Sequence, residues 1–196
     1  ITGINTQEDS EKVTFEVALS EKPKGGSATA VINVNGEDYS VAIGKDGKGT
    51  VEVPNPNTED VYNDPTSLTA TFQSVIGGGY SQVVAGTSTP AQITDTIDPT
   101  TASITLAQSD NDVLVTVSLD NPPAEDQPAT VHFTVNGEEH TVTIPAGETS
   151  VDVPLNNLIG NNAYGDPTTV TAEVTSVEGG NFEATSNGLS VSQDFT

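Results

Sequence analysis

Asp95 and Asp98 stand three residues apart in Gln-Ile-Thr-Asp-Thr-Ile-Asp-Pro, midway along a chain that sets 28 acids against five lysines and no arginine. Carboxylates in that number do one kind of chemistry well: they hold hard cations, and calcium takes about six to eight oxygens at about 2.3–2.6 Å from carboxylates, carbonyls and water. Asp95 and Asp98 therefore read first as calcium ligands. The competing reading is that they cap turns or solvate a linker, as Asp beside Pro or Thr commonly does. Asp110-Asn-Asp112 has a calcium-like spacing but lacks the glycine and distal glutamate of an EF-hand loop. Asp64 and Asp166 both precede a proline, where an Asx turn is the simpler explanation.

Other chemistry lacks its parts. With two histidines, His132 and His140, and no cysteine, neither a Ser-His-Asp relay nor a thiolate zinc site can be assembled. The glycine runs 77–79 and 179–180 precede no Lys-Ser/Thr and no helix, so they suit hairpins rather than phosphates. Few aromatic residues leave no stacking platform for sugars. An acid-based hydrolase using Asp110 or Asp112 is the weakest reading, and the chain is expected not to be an enzyme. A formal net charge of −23 repels nucleic acid and anionic lipid headgroups and attracts cations.

The elements that must position these carboxylates are written twice. Tyr-Asn-Asp-Pro at 62–65 returns as Tyr-Gly-Asp-Pro at 164–167, and Ser-Val-Ile-Gly-Gly-Gly-Tyr at 74–80 as Ser-Val-Glu-Gly-Gly-Asn-Phe at 176–182. A unit of about a hundred residues is domain-sized, and the boundary is expected at residues 1–97 and 98–196. All five lysines fall in the first copy. The chain starts within a repeat pattern and reads as a piece of a longer array.

Within each copy, short alternating runs such as Val113-Leu-Val-Thr-Val-Ser-Leu119 predict half-buried strands. Asn136-Gly137 between two such runs predicts a type I′ hairpin, whose two central residues need positive φ. About seven antiparallel strands per copy, with turns every eight to twelve residues, predict an all-β chain of two tandem immunoglobulin-like Greek-key β-sandwiches. In the first copy the last strand is expected over 80–85, leaving Gln92–Thr101 as linker. In that topology the A–B, C–D and E–F loops share the pole where the last strand exits. Glu8, Asp9 and Glu11, Glu37 and Asp38, and Glu59, Asp60 and Asp64 would then approach the linker from one side. Asp120, Glu125, Asp126, Glu148 and Glu178 would approach from the other. Asp60, Asp64, Glu37, Asp126 and Glu148 are taken as further candidate ligands, with Asp110 and Asp112 at the far pole. Asn156, Asn157, Asn161 and Asn162 offer neutral oxygens in the long second E–F loop. Tyr62 and Tyr164, which occupy the same position in Tyr-Asn-Asp-Pro and Tyr-Gly-Asp-Pro, read as packing residues of their E–F loops.

Tyr-Gly-Asp-Pro-Thr-Thr-Val-Thr-Ala (164–172), Gly-Gly-Asn-Phe-Glu-Ala-Thr (179–185) and Thr-Asp-Thr-Ile-Asp (94–98) together resemble the tandem extender repeats of giant RTX adhesins of Gram-negative bacteria. These include biofilm adhesins and an ice-binding adhesin. The resemblance spans nearly the whole chain. The first copy departs from it at Ile-Gly-Gly-Gly-Tyr-Ser, so no role for Glu183 carries over there. It implies immunoglobulin-like modules strung between an anchor and distal ligand-binding domains, calcium at module junctions, type I secretion and a cell-surface location. The expected partners are neighbouring repeats and calcium, with no nucleic acid or membrane contact, in a monomer. The alternative is a module that itself binds a glycan or protein through its loops.

Overall fold

The computed structural model describes residues 1–160 and 164–196. It divides into two compact units, Ile1–Asp60 with Asp64–Thr96, and Val61–Asn63 with Ile97–Thr196. In the first unit the strands are β1 (Thr2–Gly3), β2 (Thr6–Gln7), β3 (Lys12–Ala18), β4 (Ala28–Val34), β5 (Glu37–Ile43), β6 (Lys48–Pro54), β7 (Thr66–Leu68), β8 (Ala70–Gly77) and β9 (Ala91–Thr94). They form the sheets β1-β3-β6, β5-β4-β8 and β2-β9-β7. The second unit has β10 (Pro99–Ser109), β11 (Asp112–Leu119), β12 (Ala129–Val135), β13 (Glu138–Ile144), β14 (Ser150–Leu155), β15 (Thr168–Gly179), β16 (Ala184–Asn187) and β17 (Val191–Phe195). Its sheets are β14-β11-β10-β16 and β13-β12-β15-β17. Joining the interrupted strands (β1 with β2, β7 with β8, β16 with β17) gives seven per unit among the described residues. The chain crosses between sheets after β3, β5 and β6, and after β11, β13 and β14, which is a Greek-key sandwich. No helix of the described residues is long and apolar enough to cross a membrane.

Alternation builds each core. Along β11 and β12 every second residue is buried, and β3 and β4 repeat the pattern. The two inner faces meet in separate cores, one around Phe15, Ile32, Ile43 and Ile93, the other around Phe133, Val115, Ile144 and Phe195. Both copies carry the same irregularity: β4 slips against β8 between Val31 and Ile32, and β12 against β15 between His132 and Phe133. The expected hairpins form, with φ of 51° and 85° at Asn35-Gly36 and 50° and 84° at Asn136-Gly137.

Two expectations need correction. No strand covers 80–85; the closing strand of the first unit is β9 and β10 already begins at Pro99, so Gln92–Thr94 and Pro99–Thr101 belong to strands rather than to a linker. The reason is burial. Ala91 and Ile93 alternate into the core at 0% exposure, whereas Val83 and Val84 are consecutive and Val84 is 71% exposed. In the second unit the last strand instead splits and changes sheet, β16 running parallel to β10 and β17 antiparallel to β15. Gly188 makes that switch: its N–H donates to Ala102 O at 2.6 Å, and a Cβ there would lie 2.7 Å from the same oxygen.

The second correction concerns the paired tyrosines. Tyr62 belongs to the second unit, stacked on Phe182 at 6.0 Å with its hydroxyl donating to Pro122 O at 2.7 Å, while Tyr164 is 90% exposed. A shared loop-packing role does not explain both, because Tyr62 is half-buried against Phe182 whereas the Tyr164 side chain is open to solvent. Tyr62→Ala should therefore destabilise the second unit by about 1–3 kcal/mol in urea denaturation. Tyr164→Ala should stay within about 0.5 kcal/mol of the parent.

Candidate metal centre

The acidic cluster of the first unit is assembled by a pairing far apart in sequence. β2 runs parallel to β9, with Thr6 opposite Ile93 and Gln7 opposite Thr94. The next residue, Glu8, continues the ladder by donating its N–H to Thr94 O at 3.0 Å. That contact draws the Glu8 side chain inward until it is 2% exposed, and its Oε1 accepts the Thr96 N–H at 3.1 Å. The Thr96 hydroxyl in turn donates to Glu59 Oε1 at 2.5 Å. The loop after β6 is pinned alongside: Asn55 Nδ2 donates to Ser10 O at 2.8 Å, and Asn57 Nδ2 to the carbonyl and Oδ1 of Asp64, both at 3.3 Å. Asp95 follows directly on β9.

Glu8, Asp64 and Asp95 consequently each offer a carboxylate oxygen within 4.8 Å of the others. Two oxygens on opposite sides of an ion at about 2.4 Å stand about 4.8 Å apart, so this spread suits calcium. The donors are oxygen only, which selects hard cations over zinc or copper. A shallow cleft lined by Glu8, Ser10, Asn55, Asn57 and Glu59 lies beside Glu8. Without a counter-ion the cost is considerable: each ionised pair at 4.8 Å repels by about 3–4 kcal/mol at an effective dielectric of about 20.

The remaining sequence candidates other than Asp60 lie elsewhere. Asp98 is exposed, and its N–H donates to Glu183 Oε2 at 2.7 Å within the second unit. Asp60 is half-buried and offers a carboxylate oxygen within 4.8 Å of one of Glu8's. Glu37 accepts the Tyr39 hydroxyl at 3.0 Å; desolvation, then that carboxylate, raises the tyrosine pKa. Asp126 and Glu148 are exposed in tight turns, Asp126 at φ 58°. Asp110 is exposed at φ 54°, and Asp112 Oδ1 accepts the Asn157 N–H at 2.8 Å. Among the described residues Asp98, Glu37, Asp126, Glu148, Asp110 and Asp112 join no group of three closely spaced ligand atoms. Asn161 and Asn162 lie outside the described residues. His132 bridges Glu178 and Thr141 on a strand face, and His140 stacks on Phe133.

Glu8 is the residue that sequence reasoning places at the right pole without singling out. Nothing local marks it, since its burial depends on a strand 86 residues away. The second copy carries no acid at the matching position: Gln7-Glu8-Asp9 aligns with Gln108-Ser109-Asp110.

A family model described as the LapA domain matches residues 1–96 and again residues 98–192. The chain belongs to the LapA domain family. LapA is a large biofilm adhesin, and the LapA domains here are accordingly of the bacterial surface adhesin type, as the extender-repeat resemblance anticipated. No curated protein matches the chain. Among solved structures, a two-domain fibronectin type III segment of chicken tenascin is 12% identical over 98% of this chain and 95% of its own, with a TM-score of 0.36. A Ca2+-stabilized adhesin with which an Antarctic bacterium binds ice is 22% identical, covering 97% of this chain and 44% of that one, with a TM-score of 0.30. A bacterial ice-binding adhesin of 1.5 MDa is 15% identical, covering 93% and 60%, with a TM-score of 0.28. The chain thus spans less than two thirds of either adhesin chain.

Proposed function

We propose that this chain is a non-catalytic extender: two tandem modules, 1–97 and 98–196, of a secreted cell-surface adhesin, stiffened by calcium and serving to project distal ligand-binding domains for adhesion or biofilm formation. The observation that carries the reading is the buried carboxylate of Glu8 set within ligand distance of Asp64 and Asp95. The family membership supplies the tandem-adhesin context. Type I secretion and export of a calcium-free, pliable chain belong to the same proposal.

The mechanical consequence follows from where the backbone is held. Thr96 is tied to Glu8 in the first unit and Asp98 to Glu183 in the second, which leaves Ile97, 70% exposed, between two anchors. A cation bound by Asp95 restrains the residue next to Thr96. Ordering one residue's backbone costs about 1–2 kcal/mol, a sum that ion binding must exceed for the linker to stiffen.

Calorimetric melting in EDTA and in millimolar calcium tests this. Calcium at about a hundred times its dissociation constant should stabilise the first unit by about 2.7 kcal/mol, and magnesium, which demands a tighter octahedral shell, by less. Identical melting in EDTA and calcium would remove calcium from the proposal.

A further inference from the structure

We infer that the end of the first unit opposite Glu8 is a docking surface for the acidic far end of a second copy of this chain, joined head to tail by lysine–carboxylate pairs. The inference rests on the tandem-module reading and not on calcium.

The surface is built by three connections that hold one another. After β3, Leu19 N–H donates to Gly47 O at 2.8 Å, which ties the β3–β4 loop to the β5–β6 turn. Lys24 N–H donates to Gly78 O at 2.9 Å, and the Tyr80 hydroxyl to Glu21 O at 2.7 Å, which ties the same loop to the turn after β8. Lys22, Lys24, Lys45 and Lys48 all lie on these segments and all are exposed. Lys12 pairs with Glu52, but none of the other four makes an ion pair among the described residues. The acids on the same segments are Glu21 and Asp46, and Asp46 Oδ1 is occupied by the Lys48 N–H at 3.1 Å. In a chain of net charge −23, four of the five lysines are thus gathered on one end and left for an external anion.

The far end of the second unit has the complementary charge. Asp110 and Asp112 form the β10–β11 turn, which the β14–β15 connection joins through Asn157 N–H to Asp112 and Ile159 N–H to Asn111 O. Asp166 precedes β15 beside the last pair of the ladder, Thr168 with Phe195. No lysine or arginine exists anywhere in this unit's sequence. The corresponding turns of the second unit carry Glu125, Asp126 and Glu148 in place of the lysines, so only one of the chain's two modules offers the basic surface. A like-charged pair of ends needs a cation between them, whereas these two ends attract directly. Exposed pairs are individually weak and salt-sensitive. In a tandem array a short tether raises the effective concentration to about millimolar, which makes weak pairing sufficient.

Sedimentation velocity of the full chain in EDTA tests it, with calcium absent so that the outcome is independent of the metal proposal. In about 50 mM NaCl the wild-type chain should self-associate with rising concentration, and the association constant should fall about tenfold or more in about 500 mM NaCl. The charge-reversed head (Lys22→Glu, Lys24→Glu, Lys45→Glu, Lys48→Glu) and the charge-reversed tail (Asp110→Lys, Asp166→Lys) should each stay monomeric alone. An equimolar mixture of the two should associate again, a rescue that mere misfolding would not give; circular dichroism melting checks that each variant folds. A wild-type chain that stays monomeric at low salt overturns the inference, as does association unaffected by salt or a mixture without rescue. Binding of duplex DNA to the lysine end without self-association would assign that end to a polyanion and overturn it equally.

Discussion

Glu8→Gln should abolish the calcium-dependent rise in the melting temperature of the first unit while leaving its stability in EDTA equal to or above that of the parent. Glutamine keeps the shape and an oxygen for the Thr96 N–H that Glu8 now accepts at 3.1 Å. It removes one of three mutually repelling charges, so in EDTA the cluster loses repulsion of about 3–4 kcal/mol per ionised pair, much of it offset by solvent and geometry. In calcium the same change deletes a buried ligand, and the stabilisation of about 2.7 kcal/mol expected near saturation should fall to a small residue. A variant that retains the full calcium response would show that Glu8 is a structural acid and not a ligand. Asp98→Asn serves as the comparison. Asp98 bonds Glu183 through its backbone N–H, so its carboxylate can be neutralised without loss of that contact.

Phe133→Ala should cost the second unit about 3–5 kcal/mol, the usual range for emptying a fully buried aromatic site. Phe133 is 1% exposed on β12, between β13 and β15, and carries the stacked His140 ring at 5.4 Å. Its volume has no flexible neighbour to refill it, because the surrounding core is mostly valine and isoleucine with restricted χ1. Native-state hydrogen exchange reads the effect locally: amides of β11, β12 and β15 should lose protection, and those of β3 and β4 should keep theirs, since each unit has its own core. Equal loss in both units would show that the two cores unfold as one.

Much of the architecture is legible without coordinates because its causes are local. Period-two alternation along Val113–Leu119 is enough to predict a strand, and Asn-Gly is enough to predict a turn, since few other pairs tolerate two successive positive φ angles. Duplication adds the rest: a pattern seen twice about a hundred residues apart points to a domain-sized unit and to the loops that share a pole. Those loops correctly bring Asp64 and Asp95 to one end. What local pattern misreads is the closing strand of the first unit. Val83-Val84 has the composition of a strand, but Ala91 and Ile93 fit the inner face.

From sequence alone, then, the chain is two copies of an all-β module, strongly acidic, with basic residues confined to the first copy. Tertiary structure alone decides that Glu8 is buried against the end of β9, that Tyr62 packs on Phe182, and that the last strand of the second unit changes sheet at Gly188. The division has one physical origin. Backbone dihedral preference and side-chain alternation act between near neighbours and are written in composition and spacing. Burial of a particular carboxylate depends on which distant strand closes over it, and a parallel pairing such as that of β2 with β9 leaves no mark on either segment by itself.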